Sequence, residues 1–355
     1  ELTLGGAASR YLGNHFGKVI WAANGLPDVT KKWYDHDAVK NDFNVYTKWQ
    51  QSLTSSLQAF VDLQFRRVGY NIEGFRDNAD LKVDQRYNFF NPKAGLTYHT
   101  NNWTAFASYS MGNKEPNRDD FEAAVSELPK PERLHDIELG IEKKGKQFNA
   151  SATVYYMKYD DQLVLTGKIN DVGAYTRTNI DDSYRLGLEL QGGAIITHWL
   201  KASANLTLSR NKVKNFTEFI DDYDNGGQKM NAYKESDISF SPNVMGAATV
   251  TVNPWKSLSV DLLGKYVGKQ YLDNSSNESR KLNAYYTQDV RAAYSFNKSW
   301  LKNMDLIFQV NNVFNKKYEP NGYTFSYYYG NELATENYYF PMAGINWMVG
   351  LNIRL

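Results

Sequence analysis

The sequence predicts an all-β fold, an antiparallel transmembrane β-barrel, and three observations carry that prediction. Apolar and polar residues alternate with period two in segment after segment, no stretch reads as a long apolar helix, and short turns alternate with long polar loops. Composition agrees. Only 42% of residues are hydrophobic, too few for a helical membrane protein, yet Tyr 26, Phe 18 and Trp 8 make 15% aromatic, more than a soluble domain usually carries. A barrel wall has this signature because each lipid-facing residue is diluted by a lumen-facing neighbour, while aromatic girdles mark the two interfaces.

The strands follow in order from the alternation. Phe43, Val45, Thr47 and Trp49 share a face, as do Val61, Leu63 and Phe65 opposite Asp62, Gln64 and Arg66. Trp103 to Tyr109 and Ile137 to Ile141 repeat the pattern, and Leu186, Leu188 and Leu190 oppose Glu189 and Gln191. Towards the carboxyl end the contrast sharpens: Val260 and Leu262 oppose Asp261, Phe308 and Val310 oppose Gln309 and Asn311, and Trp347, Val349, Leu351, Ile353 and Leu355 oppose Asn346, Gly350, Asn352 and Arg354. The apolar members are expected to face lipid and their polar neighbours the lumen. With weaker segments at 2–10, 88–98 and 149–159, about fourteen strands of roughly ten residues emerge, the length a tilted membrane strand needs.

Connections alternate. Ser52 to Ser55, Thr100 to Asn102, Lys143 to Lys146, Thr197-His198, Asn253-Pro254-Trp255 and Asn297 to Trp300 read as short periplasmic turns. Long polar loops are expected at 12–40, 70–86, 112–133, 166–183, 214–237, 270–283 and 315–337, on the outward side. A β-sandwich would not alternate so regularly.

Several function classes drop out. A net charge of +1 and no basic run interleaved with aromatics give nucleic acid no footprint. With Cys 0, disulfides, thiolate metal sites and cysteine nucleophiles are impossible. His15, His36, His99, His135 and His198 lack metal-ligand spacing and no nucleophile elbow occurs, so neither an enzyme nor a cofactor is expected. Asp221 to Gly227 has a calcium-loop composition, but its glycines fall out of register and the distal Glu is missing, so it reads as a solvated loop. Glu1 to Gly6 has no leader features and already reads as strand, and the chain is expected to begin in mid-protein.

Two sets of residues are candidates for function. In the outer loops, Tyr323, Phe325, Tyr327, Tyr328 and Tyr329 form an aromatic concentration suited to gripping a ligand by stacking and hydroxyl contacts, and Tyr175 with Arg177 is a second candidate, for an anionic group. On the lumen face, Glu138, Glu189, Asp261, Lys265, Asp289 and Arg291 would tune an open pore or bond to a plug.

Particular residues also resemble the carboxyl-terminal barrel of a TonB-dependent outer-membrane receptor. The run Tyr109 to Pro116, then Leu128-Pro129-Lys130-Pro131-Glu132 and Asp136-Ile137-Glu138-Leu139-Gly140, is similar to that family's Ser/Pro loop, its K-P-E and its E-x-G strand entry. Tyr155-Tyr156, Tyr159 to Leu163, Arg185 to Leu190, Ser241-Pro242-Asn243, Val290 to Tyr294 and above all Val310 to Tyr318 continue the likeness in order. It is strong from about residue 42 and weaker before it. Leu355 stands where an aromatic is commoner, and Gly344-Ile345-Asn346 where many members have Gly-Arg.

The resemblance implies the later strands of a plug-filled barrel of about 22 strands, with plug and early strands absent from 1–355. It implies uptake of a scarce bulky nutrient driven by the TonB complex, a ferric siderophore or similar metal chelate first and cobalamin second, with lipid and lipopolysaccharide around the barrel and a surface lipoprotein as a further partner. Haem is disfavoured because 113–131 contains no His. The rival from another class is a complete fourteen-stranded passive channel.

Overall fold

The computed structural model describes all residues except 26–27, 77, 123–127, 170–174, 299–300 and 354–355, and within its strands it leaves aside the side chains of 167–169, 175–176, 297–298 and 301–303. The chain is a β-meander. Its strands are β1 (Leu2–Lys18), β2 (Lys32–Ser52), β3 (Leu57–Ile72), β4 (Val83–Thr100), β5 (Trp103–Lys114), β6 (Glu132–Lys144), β7 (Phe148–Ile169), β8 (Tyr175–Thr197) and β9 (Leu200–Asp222). They continue with β10 (Gln228–Asp237), β11 (Val244–Trp255), β12 (Leu258–Val267), β13 (Gln270–Tyr271), β14 (Lys281–Leu282), β15 (Tyr285–Lys298), β16 (Leu301–Asn311), β17 (Asn321–Tyr329), β18 (Glu332–Phe340) and β19 (Asn346–Ile353). One short helix, α1 (Arg118–Glu122), lies between β5 and β6.

Strands β1 to β9 pair consecutively and antiparallel. The outward half of β9 pairs with β10 and its membrane half with β11, after which the wall runs through β12, β15 and β16 to β19. The wall therefore comprises β1 to β9, β11, β12, β15, β16 and β19, the fourteen strands expected. Among the described residues β1 and β19 do not pair with each other, so the sheet is an open, curved wall.

Register gathers residues of neighbouring strands onto shared faces. Leu57, Tyr98, Ala105, Ile141, Ala152, Leu190, Leu206, Gly246, Tyr266 and Tyr286 lie opposite one another in an unbroken row across nine neighbouring strand pairs. The row starts beside a short turn at Leu57 and ends near the outward end of β15, which is the stagger that tilted barrel strands require. Leu262, Phe308, Val349 and Leu351 are 40%, 46%, 58% and 55% exposed, as lipid-facing side chains are when lipid is not counted. No helix is long and apolar enough to cross a membrane among the described residues.

Aromatic rings on the lumen face lie over glycines of the neighbouring strand. A Cβ on Gly140 would stand 2.1 Å from a ring carbon of Phe106, and one on Gly187 would stand 2.4 Å from the Tyr155 ring. These close approaches explain why glycine follows Glu138 by two residues and precedes Glu189 by two.

Three expectations need correction. The loops expected at 12–40, 166–183 and 214–237 are largely strand, because β1, β2, β7, β8 and β9 run on beyond the apolar belt and β10 pairs there with β9. Above the belt the outer face becomes charged while Val164, Ile180, Val213 and Phe216 are buried beneath the loops, so the sequence no longer reads as a lipid-facing strand although the backbone is still best satisfied by its ladder. The turn expected at Asn253-Pro254-Trp255 lies two residues later; those residues belong to β11, whose register with β12 is irregular between Val252 and Trp255, a tolerated place for proline. The residues 323–329 form β17 of a β17–β18 hairpin.

Candidate functional site

Register places the expected charged residues on the face opposite the apolar row. Glu138 lies opposite Ser108 and Tyr155, and Glu189 opposite Thr153 and Thr207. Asp261 sits between Thr251 and Arg291 in register, accepting a hydrogen bond from Thr251 Oγ1 at 2.7 Å. Asp289 accepts one from the backbone N–H of Asn312 at 2.7 Å, and Asn311 donates to Asn346 at 2.9 Å.

At the outward end, the segment between β5 and β6 folds back onto the lumen wall. Phe121 of α1 is fully buried against Ala38, Ile72, Phe75 and Val83, and its ring meets Tyr70 edge-on at 5.6 Å. Asn117 and Asp120 cap the helix reciprocally, each side chain accepting from the other's backbone N–H at 2.8–2.9 Å. Glu115 anchors the entry: Arg66 reaches it with two bonds of 2.8 and 2.9 Å and Lys40 with one of 2.9 Å, while Arg66 also pairs with Asp42. Burial pushes the Glu115 carboxyl up, but these cations outweigh it and hold it below its ordinary value. Arg177 donates to Asp120 at 3.0 Å, so its charge is already balanced by α1. The Tyr175 side chain lies outside the described residues.

The β17–β18 hairpin is the second outward structure, and its two faces differ. Gly322, Thr324 and Ser326 are buried, with Thr324 and Ser326 lining a cavity of about 270 Å³ shared with Phe216, Glu218, Asp273 and Arg280. Tyr323, Phe325, Tyr327 and Tyr329 alternate onto the other face. There Tyr323 stacks on Tyr338 at 4.8 Å, Phe325 meets Tyr327 at 5.4 Å, and Tyr327 meets Tyr223 of the β9–β10 turn at 5.5 Å and donates to Glu336 at 3.0 Å. Tyr328 lies on the small-residue face, where Lys229 stands 3.7 Å from its ring centre. Tyr329 remains 69% exposed.

Several bonds fix the hairpin over the neighbouring loops. Asp224 accepts from the backbone N–H groups of Gly330 and Asn331 at 2.8 Å, and Asn337 donates to the Ser279 carbonyl at 2.7 Å. Asp222, once a candidate in a calcium-like loop, accepts instead from the N–H groups of Asp224 and Asn225 in its own turn. Among the described residues no cluster of His and carboxylates is placed to hold a metal ion.

Sequence reasoning missed the buried centre of this loop layer. Arg280, 2% exposed, donates to Asp273 at 2.8 Å and to Glu218, which also accepts from Tyr233 at 2.9 Å. Burial and the adjacent Glu218 push the Tyr233 hydroxyl up to about 12. Asn274, fully buried, bridges by donating to the Leu165 carbonyl and accepting from Ser239 N–H, both at 2.8 Å. These partners are far apart in sequence, so spacing gave no signal.

The Val310 to Tyr318 motif has a local reason. Asn312 takes a positive φ of 50°, is 4% exposed, donates to the carbonyls of Lys316 and Ala343 and accepts from Lys316 N–H, so one side chain ties β16, the hairpin entry and the approach to β19. Asn tolerates this conformation better than most residues.

Comparison with known proteins agrees with this architecture. Residues 2–313 match the family described as TonB dependent receptor-like, beta-barrel, which extends the likeness seen in sequence back through β1. No curated protein matches the sequence. Among solved structures, the siderophore receptor PiuA of Acinetobacter baumannii is similar at 18% identity and a TM-score of 0.72, covering 99% of this chain and 52% of its own. The ferric-catecholate import receptor Fiu of E. coli K12, in its closed form, gives 15% identity and 0.69 over 99% and 51%, and the copper transporter OprC gives 14% and 0.73 over 99% and 53%. This chain thus spans about half the length of the structures it resembles. An all-β wall with one apolar and one polar face, matched to that family over most of its length, belongs to the β-barrel of the TonB-dependent receptors of the outer membrane.

Proposed function

We propose that this chain is the carboxyl-terminal portion of a plug-filled barrel of about 22 strands, and that the whole protein imports a scarce, bulky metal chelate, a ferric siderophore first, with energy delivered through the TonB complex. The fourteen-strand wall supports the first part, since β1 and β19 do not pair with each other among the described residues and the barrel is not closed. The similar structures favour a metal chelate over cobalamin, two being named for siderophore or ferric-catecholate uptake and one for copper. Glu138, Glu189, Asp261, Asp289 and Arg291 are the proposed plug contacts, because lumen charges enclosed by a plug require partners.

The observation that carries the ligand assignment is the two-faced β17–β18 hairpin. Its small residues pack on the loop wall, which leaves Tyr323, Phe325, Tyr327 and Tyr329 as a pre-ordered aromatic face on the outward side. Rigid rings lose little entropy on docking and can stack on a planar chelate while their hydroxyls bond its rim.

Uptake of radioiron-labelled chelates by cells producing the full-length receptor tests the proposal. Accumulation should fall to background when TonB is deleted; uptake that is unchanged without TonB would make the protein a passive channel. Changing Tyr327 and Tyr329 together to Ala should weaken binding by the purified receptor at least tenfold, about 1.4 kcal/mol, with the yield of folded barrel unchanged. Binding within twofold of the parent would assign these rings to hairpin packing alone.

A further inference from the structure

The cavity behind the β17–β18 hairpin is built as a binding site of its own. Its inner end is closed by Phe216, Ile220, Asp273, Arg280, Thr324 and Ser326, all buried. Thr178, Phe219 and Gln228 also line it but are exposed, so they mark a mouth toward solvent. About 270 Å³ lies between the two ends. One water needs roughly 10–15 Å³, so the space exceeds what a single bridging water fills, and it approaches the ~300 Å³ at which small-molecule sites begin.

Three properties of the wall restrict what can enter. The first is a donor without an acceptor. Arg280 is 2% exposed and commits Nη1 to Glu218 and Asp273, yet its Nε–H is buried and meets no protein acceptor. Leaving a buried N–H unpaired is costly, which favours an occupant that brings an oxygen acceptor. The second is charge. One guanidinium faces two carboxylates, so the ionised wall is net negative and disfavours an anion. The third is a division of the lining into apolar and hydroxyl surface. Phe216, Phe219 and Ile220 supply the apolar part, whereas the hydroxyls of Thr324 and Ser326, bonded to Asn337 and Thr335 of β18, keep further hydrogen-bonding capacity.

We propose that this cavity binds a neutral polyol ring of monosaccharide size. Such a ring has a C–H face that suits the phenylalanine rings and a rim of hydroxyls that each donate and accept. One hydroxyl can take the Arg280 Nε–H while its neighbour donates to the Glu218 or Asp273 carboxylate. A bulky chelate is excluded by size and an acidic one by charge. The site is therefore separate from Tyr323, Phe325, Tyr327 and Tyr329, which lie on the opposite face of the same strand. The inference makes no use of the transport reading, so either can fail alone.

Saturation-transfer difference NMR on the full-length receptor in lauryldimethylamine oxide micelles, which contain no sugar, tests the proposal. The neutral probes are methyl glucoside, methyl mannoside, methyl galactoside and N-acetylglucosamine, with glucuronate as the anionic comparison. At least one neutral sugar at millimolar concentration should receive saturation, and glucuronate should bind at least tenfold more weakly than the best of them. Binding should also weaken at least tenfold in Ser326→Leu, which fills the inner end, and in Phe219→Ala, which removes apolar wall at the mouth. Folded barrel is verified by heat-modifiable gel mobility, and Phe219→Ala, at an exposed site, carries the test if Ser326→Leu does not fold. Transfer to none of the four neutral sugars would leave a cavity that holds water only and would overturn the proposal. Affinity within twofold of the parent in either folded variant, or glucuronate bound as tightly as the best neutral sugar, would equally overturn it.

Discussion

Replacing Arg280 by Met should destabilise the outward loop layer by about 3–5 kcal/mol while leaving the membrane wall intact. The guanidinium is 2% exposed and lies between Glu218 and Asp273, themselves largely buried, so its removal strands two carboxylates without a counter-charge. Burial alone would push the Arg280 guanidinium down, but the two carboxylates outweigh it and raise it above its ordinary value. Hydrogen exchange on the full-length barrel is the measurement. Protection across 268–282 should fall by two to three orders of magnitude, at about 1.4 kcal/mol per tenfold, with β16 and β19 unchanged. Adding Glu218→Gln and Asp273→Asn to the same chain should recover much of the loss, because neutral groups tolerate burial where unpaired charges do not. Unchanged protection in the single variant would mean that the buried cluster does not hold the loops together.

The second large effect belongs to the membrane wall. Phe308→Arg should cost about 2–4 kcal/mol in equilibrium refolding of the full barrel into bilayers, since a guanidinium at the midplane of the lipid face loses its water and gains no partner. Its neighbours in register, Ala292 and Val349, are apolar and offer no counter-charge. Gln309→Arg should cost much less. That position faces the lumen between Arg291 and Met348. Equal losses at both positions would contradict the assignment of faces.

The wall was legible in the sequence because period two is the only pattern a half-lipid, half-lumen strand can carry. Trp347, Val349, Leu351 and Ile353 appear opposite Val310, Phe308, Leu306 and Met304, so two alternations read separately meet in one register. Alternation stopped being informative where lipid stops. Along Arg210, Lys212 and Lys214 one face is charged and the other, at Asn211 and Val213, is buried under the loops, and the strand continues where a loop was expected. The tyrosine-rich run hid a signal of a different kind: Gly322, Thr324 and Ser326 alternate small against large Tyr323, Phe325 and Tyr327, which is a strand packed closely on one side.

Contacts between distant loops were beyond reach. Glu115 was visible only as part of a family-like run, yet its role is to neutralise Arg66 and Lys40, 49 and 75 residues away. Arg280 looked like any loop arginine until the chain brought Glu218 to it across 62 residues. Asn312 is intermediate: its motif was recognisable, whereas its positive φ and its three side-chain hydrogen bonds to Lys316 and Ala343 were not.

Everything functional here depends on which side of the wall faces lipid, and the chain's lack of cysteine makes that directly measurable. Single cysteines placed in turn at Val260 to Leu262, Phe308 to Val310 and Met348 to Val349 of the full-length receptor in bilayers can carry a spin label, with collision rates read against oxygen, which partitions into lipid, and a water-soluble nickel chelate. Labels at Val260, Leu262, Phe308, Val310 and Val349 should collide preferentially with oxygen, and those at Asp261, Gln309 and Met348 should be the less oxygen-accessible set, alternating residue by residue. An inverted alternation, or none, would contradict the barrel described here and the ligand and plug assignments built upon it.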